Sequence, residues 1–218
     1  MDGAFHEIPA NIDGYVDEVG VIVCDKTHAS LSFYLDDLYV DGSPEYRLDF
    51  SKIKDEAWNG IHREVSQFSR LKGLSYLDGK YLSLSCSDFG EMYTGHYNWE
   101  NYAFTATLKP ITGENHYVNF RVQGAIRSYA VGFSGKDTVT LQKNKNGYQI
   151  LQRENFSWEY GKEYEISIMA ENNRITVWVD GKELMHYQDE NSPILSGAIG
   201  LSVRDGSHCL YRDFIVKG

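Results

Sequence analysis

Residues 117–123 place polar side chains at every second position of a short segment. In a β-strand this spacing directs Val118, Phe120 and Val122 to one face, which we expect to be the core face, and the polar set to the other. After a tight turn, a returning strand begins at Arg127. Amide, guanidinium and phenol groups on one face can hydrogen-bond sugar hydroxyls while a ring stacks on the pyranose. Tyr117 lies on this same face. The predicted carbohydrate-binding residues are Asn119, Arg121, Gln123, Arg127 and Tyr129.

Two other interpretations of this face stay open. The face can be a solvated outer surface that binds nothing. Alternatively, Arg121 can pair with a carboxylate of the amino-terminal segment.

The loop at residues 91–99 carries more aromatic side chains than a turn needs, and it is the second candidate for sugar binding. Its candidate residues are Tyr93, His96, Tyr97 and Trp99. In the alternative interpretation, the loop folds over the end of the domain and Trp99 fills the core. Trp178 lies on the strand face opposite Ile175, so it is either a stacking platform for a sugar or a ring covered by residues 1–42.

Catalytic residues are not predicted. Glycoside hydrolysis requires two carboxylates at a set distance, and the glutamates of this chain form no paired motif. We interpret each of them as a surface residue: Glu91, Glu100, Glu114, Glu159 and Glu163. The histidines are scattered without the spacing of a catalytic zinc site, and they include His96, His116, His186 and His208.

Short segments of alternating polarity recur along the chain, and Asp-Gly and Asn-Gly turn signals separate them. This spacing is typical of an antiparallel β-sandwich. One stretch, residues 51–69, has a capping serine and early acidic residues, which indicate at most a turn or a short helix.

An internal similarity predicts the domain organisation. Residues 19–28 align with 199–208, and residues 37–42 align with 213–218, so both copies read as the closing hairpin of a jelly roll. We therefore expect residues 1–44 to be the closing strands of an upstream β-sandwich that is truncated. Residues 45–63 are then a linker with a short helix, and residues 64–218 are a complete jelly roll.

The amino-terminal strands must bury their apolar faces and pair their backbone groups. We expect residues 19–23 and 35–40 to dock on the main domain or to pair with another chain. An oligomer formed through residues 1–42 is thus left open.

Residues 156–166, 173–184 and 197–201 resemble concanavalin-like jelly rolls, in particular the laminin-G-like group and the bacterial 3-keto-disaccharide hydrolase group. The resemblance covers residues 64–218 and implies a two-sheet antiparallel jelly-roll sandwich. It also implies a calcium position near the closing strand, where Asp213 stands. The alternative is that Asp213 caps a loop or pairs with Arg212 or Arg204.

Residues 65–68 and 124–130 resemble the C-terminal regions of some bacterial ADP-ribosylglycohydrolase-family proteins. This resemblance implies an accessory region that is covalently linked to a catalytic domain in the parent protein. The helical catalytic domain of that family has no counterpart here, so its activity is not transferred.

Composition limits the partners. The chain has 21 Lys and Arg against 31 Asp and Glu, giving a formal net charge of −10, which argues against binding to nucleic acid or to anionic membranes. Cys24, Cys86 and Cys209 form no CxxC pair, so we expect unpaired thiols rather than disulfides or zinc ligands. The unpaired thiols and the absence of a leader sequence favour the cytoplasm.

Taken together, the sequence predicts a non-catalytic carbohydrate-binding accessory module of a bacterial enzyme that requires no cofactor beyond a structural calcium ion. One alternative is a glycoside-active jelly-roll hydrolase similar to the 3-keto-disaccharide hydrolases, which predicts converging carboxylates. The other is a structural spacer or oligomerisation domain, in which all the aromatic side chains are covered.

Overall fold

The computed structural model describes residues 8–9, 44–52, 56–57, 63–64 and 68–218. Two compact units are formed by residues 1–42 and 43–218. The described residues contain strands and no helix, and hence no helix that is able to cross a membrane. The strands of the described residues are β1 (Glu45–Leu48), β2 (Glu56–Ala57), β3 (Arg63–Glu64), β4 (Ser69–Lys72), β5 (Leu74–Asp78), β6 (Tyr81–Ser85), β7 (Phe89–Thr94), β8 (Tyr102–Thr112), β9 (Asn115–Gly124), β10 (Arg127–Ser134), β11 (Thr138–Lys145), β12 (Tyr148–Asn155), β13 (Tyr164–Glu171), β14 (Arg174–Val179), β15 (Lys182–Gln188), β16 (Ala198–Arg204) and β17 (His208–Lys217).

Two antiparallel sheets form a sandwich. Sheet I has the strand order β15-β14-β13-β8-β17-β6-β5, and β1 also pairs with β17. Sheet II has the order β12-β11-β10-β9-β16-β7-β4. A separate short pair is formed by β2 and β3. The predicted all-β, antiparallel two-sheet jelly roll is therefore confirmed.

The core lies between the two sheets because each strand turns alternate apolar side chains inward. In β13, Ile166, Ile168 and Ala170 are buried, while the residues between them are more exposed. Rings fill the ends of the core. Phe133 stacks on Trp158 with centroids 5.2 Å apart and packs edge-on against Tyr164 at 5.1 Å.

The segment predicted as a linker begins with a strand of the sandwich. In β1, Leu48 is buried opposite Phe214, and Phe50 packs edge-on against the Phe214 ring at 5.6 Å. These apolar side chains attach residues 45–50 to sheet I. The described part of residues 51–69 contains a turn and short strands but no helix. The strands expected at residues 19–23 and 35–40 lie outside the described residues.

Candidate functional site

The outer face of sheet II is polar and yet largely buried. Cross-strand pairs align its side chains, since Ser202 in β16 lies opposite Glu91 in β7 and Tyr117 in β9. The adjacent strands β10, β11 and β12 extend the same face. We call this surface the polar face, and its members are Phe89, Glu91, Tyr93, Tyr117, Asn119, Ser128, Gln142, Tyr148, Ser202 and Arg204.

The polar face lies on the concave side of a strongly curved sheet. The Tyr148 hydroxyl, on the edge strand β12, donates to a carboxylate oxygen of Glu91 on β7 at 3.0 Å. The Asn119 amide donates to the same hydroxyl at 3.1 Å. Four strands separate β12 from β7, and in a flat sheet they would hold the two residues about 24 Å apart. The contact requires sheet II to curl around the polar face.

Arg204 lies at the centre of this face between aromatic rings. Its guanidinium carbon is 3.6 Å from the ring centroid of Tyr148 and 4.4 Å from that of Tyr117. Nη1 donates to the side-chain oxygen of Gln142 at 2.8 Å. Nε and Nη2 are buried and make no hydrogen bond. The rings and the amide hold the cation in place, but two of its nitrogens stay unpaired.

Glu91 is a buried carboxylate, contrary to the prediction that it lies on the solvent surface. Only 1% of the residue is exposed. Burial raises the pKa of Glu91 above its usual range, although the nearby Tyr93 and Tyr148 hydroxyls and the Arg204 charge act in the opposite direction. Burial, reinforced by the nearby Glu91 charge, also raises the pKa of Tyr93. The face therefore combines a carboxyl group and a phenol whose pKa values are both raised by burial.

The Tyr93 ring packs over Gly200, which has no side chain to block it. The two residues are cross-strand partners, and a Cβ on Gly200 would lie 2.4 Å from the Tyr93 ring. The ring can therefore pack across the backbone of β16. At this end of the polar face Tyr93 forms a small apolar cluster with Val122 and Ala198.

Several polar atoms of the polar face are buried without a hydrogen-bond partner in the part of the chain that the structure describes. They are the Tyr93 hydroxyl, Asn119 Oδ1, Ser128 Oγ, Ser202 Oγ, and Nε and Nη2 of Arg204. Buried polar groups in folded proteins are nearly always paired, so a cluster of exceptions on one surface indicates a site that a ligand or water completes. Hydroxyls, an amide oxygen and a guanidinium together suit a ligand rich in hydroxyl groups.

The first predicted binding set is divided by a β-bulge. Arg121 has a φ of 48°, and this left-handed residue reverses the alternation of β9, so Val122 joins the outer face instead of the core. The Arg121 guanidinium is fully buried and donates to the backbone carbonyls of Asn172, Ile194 and Glu100. It is therefore unavailable to a ligand.

The other members of that set are also separated. Gln123 is exposed beyond the bulge and donates to the Ser196 carbonyl at 3.0 Å, and Arg127 is exposed at the start of β10. Tyr129 lies in the core, where its hydroxyl donates to Asp189 at 2.5 Å. Only Asn119 belongs to the polar face.

The aromatic loop is divided as well. Tyr93 joins the polar face, whereas the Trp99 ring packs against Tyr46 and Tyr102 at 5.6 and 6.2 Å, as in the core-filling interpretation. His96 stacks on Tyr97 at 4.5 Å, and Tyr97 is exposed. Trp178 is partly buried on the outer face of sheet I, beside Ser167 and Glu183.

Asp213 lies within β17 at a φ of 55°, and its carboxylate accepts a hydrogen bond from Arg212 at 2.5 Å. This pairing is the alternative that the sequence left open. Among the described residues, no group of three or more His, Cys, Asp or Glu side chains gathers in the manner of a metal site. The calcium position at Asp213 stays a prediction.

A depression of about 400 Å³ lies near the β6–β7 turn, at the edge of both sheets. Its lining includes the ion pair of Lys72 and Asp88, whose charged atoms are 2.6 Å apart, and the Cys86 thiol. Burial raises the pKa of this thiol, so Cys86 is not activated as a nucleophile. We find no ligand chemistry there that compares with the polar face.

Six members of the polar face were not predicted from the sequence as binding residues: Phe89, Ser128, Gln142, Tyr148, Ser202 and Arg204. The sequence of β16 does contain a signal, because the polar residues Ser202 and Arg204 alternate with apolar ones. The polar residues of β9, Tyr117 and Asn119, alternate with apolar ones in the same way. Comparing the two alternations would have placed these residues on one face. Nothing local marks Tyr148, because its position depends on the curl of the whole sheet.

A family model described as 3-keto-alpha-glucoside-1,2-lyase-like domain matches residues 52–217. No curated protein sequence matches the chain. The ADP-ribosylglycohydrolase resemblance therefore stays a prediction.

Solved structures show the same fold at low identity. The carbohydrate-binding module CBM66 from Bacillus subtilis has a TM-score of 0.64 and 15% identity, over 70% of this chain and 96% of that chain. A protein of unknown function with a galectin-like fold, also from Bacillus subtilis, has a TM-score of 0.61 and 13% identity, over 81% of this chain and 98% of that chain. A third structure is domain 4 of AbnA, an extracellular GH43 arabinanase from Geobacillus stearothermophilus, in complex with arabinotriose. It has a TM-score of 0.53 and 8% identity, over 81% of this chain and 93% of that chain.

The family match spans most of the chain and covers every described strand of the sandwich except β1. The chain belongs to the 3-keto-alpha-glucoside-1,2-lyase-like family. This confirms the resemblance that residues 156–166, 173–184 and 197–201 carry. The solved structures confirm the jelly-roll fold.

Proposed function

We propose that this 3-keto-alpha-glucoside-1,2-lyase-like domain binds carbohydrate at the polar face of sheet II. The observation that carries the proposal is the cluster of buried, unpaired polar atoms on Tyr93, Asn119, Ser128, Ser202 and Arg204. A sugar hydroxyl both donates and accepts hydrogen bonds, so a single ligand can satisfy all of these groups.

The apolar end of the face supports the same ligand class. Tyr93, Val122 and Ala198 form an apolar patch next to the polar atoms. Sugars present C–H surfaces beside their hydroxyls, and aromatic rings bind such surfaces. Two proteins of similar fold are described as a carbohydrate-binding module and as an arabinanase domain in complex with arabinotriose, which also favours this proposal.

Calorimetric titration with a panel of oligosaccharides tests the proposal. Asn119→Ala removes both the amide nitrogen that donates to Tyr148 and the unpaired Oδ1, so we expect binding to weaken by about ten-fold. Trp178→Ala, on the opposite sheet, is the matched control and should bind as the unaltered chain does. Loss of binding in Trp178→Ala with retention in Asn119→Ala would place the site on sheet I and refute the proposal.

A role as accessory module of a larger bacterial enzyme, with a covalently linked catalytic domain, is the finer part of the proposal. The arabinanase domain offers a parallel, since it is one domain of a larger enzyme. An antibody against residues 68–218 would then detect a polypeptide much larger than 24.9 kDa in the source cells. A band at that mass alone would contradict the accessory role.

Glu91 favours a second candidate function, the elimination reaction that the family description names. In this elimination a base removes the C2 proton, which the neighbouring ketone makes acidic, the C1=C2 double bond forms as the C1–O bond breaks, and an acid returns a proton to the leaving oxygen. A buried carboxylate with a raised pKa beside two phenols is suited to this transfer. Among the described residues the polar face holds no second carboxylate, so the two-carboxylate hydrolysis considered above is not favoured.

Incubation with a 3-keto-glucoside decides between binding and elimination. If the chain is a lyase, it should release the aglycone, and Glu91→Gln should abolish the release while still binding the sugar. Unchanged release by Glu91→Gln would remove Glu91 from the reaction. No release by the unaltered chain would leave binding as the function.

A further inference from the structure

We propose that Arg204 recognises the carboxylate of an acidic sugar, such as a hexuronic acid, within the polar face. This inference rests on the proposed function, because it names the class of sugar that the same face selects. It is carried by the hydrogen-bonding state of one guanidinium.

The two unpaired nitrogens of Arg204 lie on the same edge of the guanidinium plane. The remaining nitrogen, Nη1, is used by Gln142 at 2.8 Å. Nε and Nη2 are buried and unpaired, and their N–H bonds point in nearly parallel directions. This edge matches the spacing of the two oxygens of a carboxylate, which accepts both hydrogen bonds at once.

Among the described residues, Arg204 also forms no ion pair. Two other buried or partly buried cations do, since Lys143 pairs with Asp189 at 2.6 Å and Arg212 pairs with Glu163 at 2.6 Å. Over the described residues, no carboxylate lies within ion-pair distance of Arg204, and Glu91 accepts its hydrogen bond from Tyr148 instead. A shielded cation with no carboxylate at ion-pair distance is stabilised by an anionic ligand that accepts its free N–H groups.

The surrounding rings prepare the guanidinium for such a ligand. Tyr148 and Tyr117 lie 3.6 and 4.4 Å from it and exclude water. Charge-assisted hydrogen bonds are stronger in such surroundings. Because the two free nitrogens are buried, ligand binding requires a covering side chain to move, and Tyr148 follows the exposed turn at Asn146 and Gly147 on the edge strand β12.

A carboxylate suits this site better than a phosphate does. Two free N–H groups satisfy both oxygens of a carboxylate, whereas a phosphate would retain a further charged oxygen without a donor from this edge. We therefore assign the carboxylate as the anionic group that the face selects.

Calorimetric titration of the full chain with oligogalacturonates, with their carboxyl-reduced counterparts and with glucose 6-phosphate tests the inference. We expect the acid to bind at least about ten-fold more tightly than the reduced sugar, because two charge-assisted hydrogen bonds are at stake. Arg204→Gln should abolish this preference, so that the acid and the reduced sugar bind that variant with affinities equal within about two-fold. Arg127→Gln, an exposed arginine outside the polar face, should retain the preference.

Equal affinity for the acid and the reduced sugar would overturn this inference and leave the proposed function standing. Tighter binding of glucose 6-phosphate would overturn it in favour of a phosphate site. No response to any sugar in a wider neutral and acidic panel would overturn both proposals. If Arg204→Gln proves unfolded by circular dichroism, the comparison of acid with reduced sugar on the unaltered chain still decides.

Discussion

Arg121 and His116 show how single residues support the face that lies above them. Both are fully buried in β9, the strand that also presents Tyr117 and Asn119. Arg121 joins three separate loops through their carbonyl groups, and His116 packs edge-on against Trp158 at 5.4 Å. Their chemistry serves the stability of the sandwich.

Replacing Arg121 should destabilise the domain strongly. Arg121→Met keeps the side-chain length but leaves the carbonyls of Asn172 and Ile194 buried without a donor, at a cost of about 3 kcal/mol in the free energy of unfolding. Urea denaturation followed by tryptophan fluorescence measures this change. Arg127→Met, at an exposed position, should change the free energy by less than about 0.5 kcal/mol. Equal effects of the two variants would show that the carbonyl contacts contribute nothing.

His116 should make the stability depend on pH. Burial lowers the pKa of His116 to about 4 in the folded chain, from its ordinary value near 6.5. Between these values the unfolded chain binds the proton and the folded chain does not. The free energy of unfolding should therefore fall by about 3 kcal/mol as the pH drops from 6.5 to 4.

The variant His116→Gln should flatten this slope, because a glutamine keeps the bond to the Gly113 carbonyl but does not titrate. Denaturation midpoints between pH 4 and pH 7 measure it. His186→Gln, at an exposed position on sheet I, serves as the control and should leave the slope unchanged. If the free energy of unfolding of His116→Gln depends on pH as it does in the unaltered chain, His116 is not the cause of this dependence.

At the level of elements, buried side chains of sheet II attach the loop after β15, and Lys143 makes the most contacts among them. Lys143 of β11 donates to the Asp189 carboxylate at 2.6 Å and to the carbonyls of Asn191 and Ser192 at 2.7 and 2.8 Å. The same loop supplies the Ile194 carbonyl that accepts from Arg121. The loop thus links both sheets at one end of the sandwich.

Removing the lysine should loosen this loop. Lys143→Met leaves the Asp189 charge buried without its cation, which costs about 3–5 kcal/mol. Hydrogen exchange should become faster in residues 189–197 before the rest of the sandwich opens. The double variant Lys143→Met with Asp189→Leu should recover part of the loss. Equal destabilisation by the single and double variants would contradict the role of the buried charge.

The sequence predicted the strands well and the site poorly, and β9 shows why. Its alternation correctly predicted a strand with Val118 and Phe120 inward. The bulge at Arg121 was not predictable, because its positive φ is fixed by carbonyl groups from loops that are distant in sequence. The polar face likewise depends on the curvature of sheet II, which brings Tyr148 to Glu91. The alternation of residue types within a strand predicts the face on which a side chain lies, but not which distant residues contact that face.

For the whole molecule, the boundary of the domain follows from β1. The family match begins at residue 52, whereas the compact unit begins at residue 43. The difference contains Leu48 and Phe50, which are buried at 7% and 1% exposure. The sandwich therefore includes residues that the family pattern leaves out.

A chain beginning at residue 43 should unfold in one cooperative transition. A chain beginning at residue 52 loses Leu48 and Phe50 from the core, and its free energy of unfolding should be lower by at least about 3 kcal/mol. Thermal denaturation of the two chains makes the comparison. Equal melting temperatures would show that β1 is dispensable.

The place of β17 has a consequence for synthesis. This strand lies between β8 and β6 in the middle of sheet I and also pairs with β1. During translation, the two halves of sheet I therefore stay unjoined until residues 208–217 have left the ribosomal exit tunnel. A prematurely terminated polypeptide would expose the edge of β8 and the apolar side chains beneath it, so proteases should degrade such fragments rapidly while they spare the finished protein.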